Sequence, residues 1–124
     1  MYSGDLDTCP YCECAPEDTW IFTEDVVALP HPAPITAFHT IVAPRRHVGA
    51  FYDLDVGEQR HVWDVLNLVR KRIASSLPVA SFDVGFQDAG AADPESHAIV
   101  HLIPRVAGSR LALPANIDWV TLDS

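Results

Sequence analysis

Apolar residues recur at Val62, Val65, Leu66, Val69 and Ile73, a three-and-four spacing that lays one stripe along a helix. Asp55 precedes the stripe and Glu58 follows three residues later, a capping-box pair that predicts the helix start. Pro78 forbids continuation. Elsewhere the period is two. Residues 20–22 and 26–29 flank the polar Thr23-Glu24-Asp25 and predict a hairpin. Residues 39–43, closed by Pro44, then 82–86 and 97–103 predict three further strands. The stretch Pro30-His31-Pro32-Ala33-Pro34 is confined to extended or turn backbone, because proline fixes its own φ and biases the residue before it. Residues 87–96 read as a loop, and the apolar positions after Arg105 (Leu111, Leu113, Ile117, Trp119, Val120) as an arm packing on a partner subunit or on its own core.

The strand over 97–103 carries the most pointed chemistry. Alternation places His97, Ile99, His101 and Ile103 on one face and Ala98, Val100 and Leu102 on the other. An aliphatic group therefore stands between two imidazoles, where it can neither attack nor relay a proton. His39 reads as a buried, hydrogen-bonded histidine and His61 as a solvent-facing one on the helix.

Composition narrows the partners. A chain of 124 residues with 48% hydrophobic composition supports one domain, residues 1–124, with a core over 9–105 and an arm over 106–124. The formal charge is −9, with seven acidic residues in the first 25 positions and no Lys or Arg before Arg45. Nucleic acid and anionic membrane are disfavoured as partners. The basic run Arg70-Lys71-Arg72 falls at the helix end, where it complements the dipole. No apolar run has membrane-spanning length and the first residues lack the pattern of a secretory signal, so the expected location is cytoplasmic.

Three cysteines at 9, 12 and 14 do not make a disulfide framework. Cys9-Pro10-Tyr11-Cys12 has the spacing of a glutaredoxin dithiol, but that chemistry needs a buried strand before the motif and a helix after it. Residues 4–8 are too polar for the first and Pro16 interrupts the second. A zinc knuckle suits the spacing better and requires two more ligands, for which histidines are the candidates and Cys14 a competitor.

Cys9-x-x-Cys12, the His39-Thr-Ile-Val-Ala-Pro-Arg-Arg-His47-Val segment and the His97-to-Arg105 strand, in that order, resemble the zinc-bearing branch of the histidine-triad (HIT) family of nucleotide hydrolases and transferases. The resemblance spans residues 9–105. It implies an α+β HIT-like fold with an antiparallel sheet of about five strands, one long helix and an N-terminal zinc knuckle, usually as a homodimer. It implies structural zinc on Cys9, Cys12, His47 and His97. It also implies that the nucleotidyl-accepting middle histidine is replaced by Ile99. The family's phosphate-holding Gly-Gln-Ser/Thr-Val segment is replaced around Asp93-Pro94-Glu95-Ser96, its ribose-contacting acidic residue aligns near His31, and its loop asparagine near Gln87. Carboxylates at Asp93 and Glu95 would repel phosphate.

The favoured reading is a divergent member acting as a small-molecule enzyme, with catalysis passed to His101 as acid or base and helped by His31, Glu95 or Ser96. Its ligand is a small molecule, with phosphate-containing compounds still admitted. The competing readings are a non-catalytic, zinc-stabilised binding protein and a nucleotide hydrolase inactivated at position 99.

Overall fold

The computed structural model describes residues 9, 11–12, 14–87, 97–106, 113 and 117–123. Its elements, in chain order, are β1 (Ile21–Phe22), β2 (Val26–Pro30), β3 (Thr40–Pro44), α1 (Val56–Ala74), β4 (Val79–Gln87), β5 (Ile99–Val106) and β6 (Asp118–Asp123), with 3-10 turns at Pro16–Asp18 and Phe51–Asp53. The strands form one six-stranded sheet in the order β1-β2-β3-β5-β4-β6, and every pairing is antiparallel. The expected α+β fold with one long helix is present, with a sixth strand drawn from the C-terminal arm.

The helix begins as its sequence dictates. The Asp55 carboxylate accepts from the Glu58 backbone N–H at 2.7 Å and Glu58 accepts from the Asp55 N–H at 3.1 Å, a reciprocal cap. Its buried residues are Val62, Val65, Leu66, Val69 and Ile73. They pack on Val26, Ala28, Val42, Phe82, Val84, Ala98, Val100 and Leu102, which all lie on one face of the sheet and with the helix make the main core.

The opposite face holds a smaller apolar cluster of Val27, Ile41, Ala43 and Ile99, with Tyr11, Cys14, Phe22 and Leu29 packed against it. Alternation along β5 is thus obeyed: Ala98, Val100 and Leu102 face the helix, and Ile99 faces away with His97 and His101. His97 and Ala98 precede the strand proper, and the Ala98 N–H donates to Val48 O at 2.7 Å.

On this second face Asp83 is buried between two neighbouring strands. Arg105 donates to its Oδ2 from Nη2 at 2.6 Å and Nε at 3.1 Å, and the Thr121 hydroxyl donates to Oδ1 at 2.8 Å. The carboxylate therefore bonds β4 to β5 and to β6. Asp83→Ala is expected to lower unfolding stability by about 2–3 kcal/mol, since one partner of a buried pair is lost while Arg105 regains some water; urea denaturation reads it.

His61 is not simply solvent-facing. Its Nδ1 pairs with Asp25 in the β1–β2 turn, which ties the helix to the hairpin. The other side of that turn is held by Arg45, whose Nη1 donates to Thr23 O and Glu24 O at 3.1 Å and whose guanidinium lies 4.4 Å from the Phe22 ring centre. Arg46 next to it bonds Glu58 at 2.8 Å. The segment leading to His47 is thereby fastened to both the hairpin and the helix start.

Candidate functional site

Two groups of potential ligand atoms lie on the sheet face away from the helix, and Ile99 stands between them in β5. The first is Cys9, Cys12, His47 and His97. The β5 entry supplies His97, the turn after β3 supplies His47, and the N-terminal knuckle supplies both thiols.

Cys9 Sγ lies 3.3 Å from His97 Nδ1, Cys12 Sγ lies 3.3 Å from His47 Nδ1 and 3.5 Å from His97 Nδ1, and the two Nδ1 atoms are 3.2 Å apart. In a tetrahedral zinc site, bonds of about 2.3 Å to sulfur and about 2.0–2.1 Å to nitrogen set ligand atoms roughly 3.3–3.6 Å apart. The observed separations agree. His97 Nε2–H donates to Pro44 O at 2.7 Å, so its Nδ1 lone pair is the one turned toward the sulfurs, as a metal-ligating histidine requires. Burial pushes the His97 imidazolium below its ordinary range, which keeps that lone pair available. These four residues could hold a metal ion.

Cys14 stays outside the group. Its thiol donates to Tyr11 O at 3.7 Å, and burial raises its pKa, so it remains a packed thiol beside the apolar cluster. Among the described residues, the grouped ligand atoms are those of Cys9, Cys12, His47 and His97 and do not include the Cys14 thiol.

The second group is His31, His39 and His101. His31 follows β2, His39 directly precedes β3, and His101 lies in β5. Pairing of Ile41 with His101 brings the last two together. Phe38, at φ 65°, turns the chain sharply just before His39, in a backbone region unfavourable to a residue with Cβ. The rings of His31 and His39 stack at 4.3 Å and 17°.

Their protons are fixed by their neighbours. The Ile35 backbone N–H donates to His39 Nδ1 at 3.1 Å, so the neutral ring carries its proton on Nε2. His39 Nε2–H then donates to His101 Nδ1 at 3.0 Å. His101 is left with its proton on Nε2, which donates to Gln87 Oε1 at 2.7 Å. The Ala33 N–H donates to His31 Nδ1 at 2.9 Å, so His31 also carries its proton on Nε2. Burial, followed by neighbouring imidazoles, lowers His39 and His101 to about 4, which keeps both neutral near pH 7.

A cavity of about 290 Å³ opens over this cluster, bounded also by Ile35, Gln87, Ile117 and Trp119. Trp119 is placed by a glycine: Gly85 pairs with it across β4 and β6, and a Cβ at Gly85 would come within 2.5 Å of the indole. The indole centre lies 6.0 Å from that of His101.

Of the residues read from the sequence as candidates, Cys9, Cys12, His47 and His97 come together, as do His31 and His101. Glu95 and Ser96, with Asp93, lie outside the described residues. Sequence reasoning took Gln87 as the first loop residue, near the family's loop asparagine, and Trp119 as part of an arm, and counted neither among the site residues. The signal for Gln87 was present, since Asp83, Gly85 and Gln87 share one face by alternation.

A family model described as HIT domain matches residues 13–108. Among solved structures, a HIT family protein from Bacillus anthracis is similar at TM-score 0.68 and 20% identity, covering 88% of this chain and 84% of that one. A histidine triad nucleotide-binding protein from Candida albicans has TM-score 0.65 and 19% identity, over 87% and 84% of the two chains. The C. elegans NitFhit protein has TM-score 0.66 and 26% identity over 78% of this chain, which spans 24% of that longer protein. No curated protein matches the chain. Among the described residues, no helix is long and apolar enough to cross a membrane.

Proposed function

Given that this chain belongs to the HIT-domain family, we propose that it is a small-molecule enzyme of that family working without a histidine nucleophile, in the cavity beside His31, His39 and His101. One observation carries the reading. Ile99 stands on the site face between the two histidine groups, where the resemblance puts the attacking imidazole. It is packed there among Val27, Ile41 and Ala43. A hydrocarbon offers phosphorus no lone pair, and chemistry in the cavity must use other groups.

His101 is the residue proposed as acid or base. Without a ligand it is neutral, with Nδ1 accepting from His39 and Nε2–H donating to Gln87, so it takes or gives a proton only when a ligand displaces one of these partners. His31 adds a second N–H beside it. Glu95 and Ser96 remain sequence-based candidates for help from the following loop. The metal we propose for Cys9, Cys12, His47 and His97 is zinc, held by four protein ligands with no open position and serving stability alone.

The competing reading, a nucleotide hydrolase silenced at position 99, is tested by Ile99→His. With adenosine phosphoramidate as substrate, the variant is expected to show no hydrolysis above the wild-type chain while still melting cooperatively. Restored turnover, by about a hundredfold or more, would return the protein to the family's histidine-nucleophile chemistry.

A further inference from the structure

Within that cavity reading, on which this inference rests, hydrogen-bond polarity selects the ligand. His31 presents Nε2–H, because its Nδ1 already accepts from Ala33. Gln87 gives its oxygen to His101, so its NH2 group is left to turn to a ligand. Among the described residues lining the cavity, these two side-chain groups are both donors. Among the described residues bounding the cavity there is no carboxylate, Lys or Arg.

A phosphate or carboxylate entering here would leave water for a wall of Ile35, Ile117 and Trp119 and would meet no counter-charge among the described residues. Stripping an ion of water without pairing costs far more than desolvating a neutral carbonyl, whose oxygen the two donors would satisfy. The flanks are flat: the stacked His31–His39 pair on one side and the Trp119 indole, seated over Gly85, on another.

A metal is the other occupant that three imidazoles suggest. Binding through His39 Nε2 would move that ring's proton to Nδ1, where the Ile35 N–H already points. Two donors would then face each other.

We propose that this cavity binds an uncharged, planar, carbonyl-bearing compound such as a lactam or aromatic amide, with its oxygen accepting from His31 Nε2–H and the Gln87 amide and its ring against Trp119. The two donors then polarise the carbonyl together.

The test uses ¹⁵N-labelled, metal-loaded full chain at pH 7.5. Long-range proton–nitrogen spectra are expected to report His39 and His101 as Nε2–H tautomers; an Nδ1–H tautomer for His101 would break the donor chain and the proposal with it. Three probes are then titrated: 2-quinolinone, quinoline-2-carboxylate and adenosine monophosphate. 2-Quinolinone is expected to shift the His31, Gln87 and Trp119 signals at lower concentration than either anion. His31→Phe, and Gln87→Glu, which keeps an acceptor for His101 but removes the amide donor, should each weaken it about fivefold, the worth of one hydrogen bond of about 1 kcal/mol. Preference for an anion would overturn the ligand class and leave the cavity reading standing. Failure of all three probes to move these signals would count against both. A second bound zinc equivalent that moves the His31 and His39 signals would assign the cluster to a metal instead.

Discussion

Stripping the metal from Cys9, Cys12, His47 and His97 is expected to lower the melting temperature by about 10–20 °C and to leave a folded but looser protein. The four ligands come from three separated parts of the chain: the N-terminal knuckle, the turn after β3 and the entry to β5. A closed four-ligand site joining them adds its binding free energy to folding. Unlike a zinc finger, this chain keeps a core of its own between α1 and the sheet, so the metal is not its sole source of order. A loss of about 3–5 kcal/mol, at roughly 4 °C per kcal/mol for a domain of this size, falls within the stated range. Calorimetry of chelated and reloaded protein checks it, alongside elemental analysis of untagged protein, which should find about one zinc per chain. Cys12→Ser should reproduce the chelated melt and no longer respond to zinc. Equal melting with and without metal would remove the structural role.

Acidification is the second large effect. In the unfolded chain His39 and His101 titrate near 6.5, and in the folded protein each is lowered to about 4. Between those values the unfolded state binds more protons, so stability rises with pH across this window. It is complete above about 6.5 and drains away as the pH falls toward 4, below which these two groups take no more. At pH 5 each histidine costs on the order of 2 kcal/mol relative to pH 7. Urea unfolding at pH 7 and pH 5 with zinc present is expected to show this drop. His39→Gln combined with His101→Asn should flatten it, whereas loss of metal at the other site would persist in that variant. An unchanged slope in the double variant would place the acid sensitivity elsewhere.

Local rules made much of this fold readable. The capping pair Asp55 and Glu58 and the stripe from Val62 to Ile73 located the helix and its buried face, because both signals lie within a few turns of chain. Period-two alternation put Ile99 on the face of His97 and His101 without any tertiary knowledge. What escaped depended on distant partners. The pairing of β6 with β4 joins residues more than thirty positions apart. Gln87 looked like a loop residue because β4 runs past Phe86 only through its pairing with β5. Asp83 sits between Phe82 and Val84 in β4, and its burial makes sense only once Arg105 and Thr121 are seen to reach it. His61 looked free because its partner Asp25 lies in the hairpin turn.

The candidate site divides in the same way. Cysteine spacing pointed to a knuckle in want of two more ligands, and the resemblance to the HIT family singled out His47 and His97 among the six histidines. The proton arrangement of the imidazole cluster was invisible, because it is imposed by the Ile35 and Ala33 backbone amides, which no residue type announces.

Ile99 has a consequence for how this surface can change over time. A branched hydrocarbon between the four-ligand group and the histidine-lined cavity works as a septum: among the described residues, Ile99 offers no polar bridge by which charge rearranged on one side could disturb the other. The cavity beside His101 is therefore free to be refitted for new compounds without disturbing the grouping of Cys9, Cys12, His47 and His97.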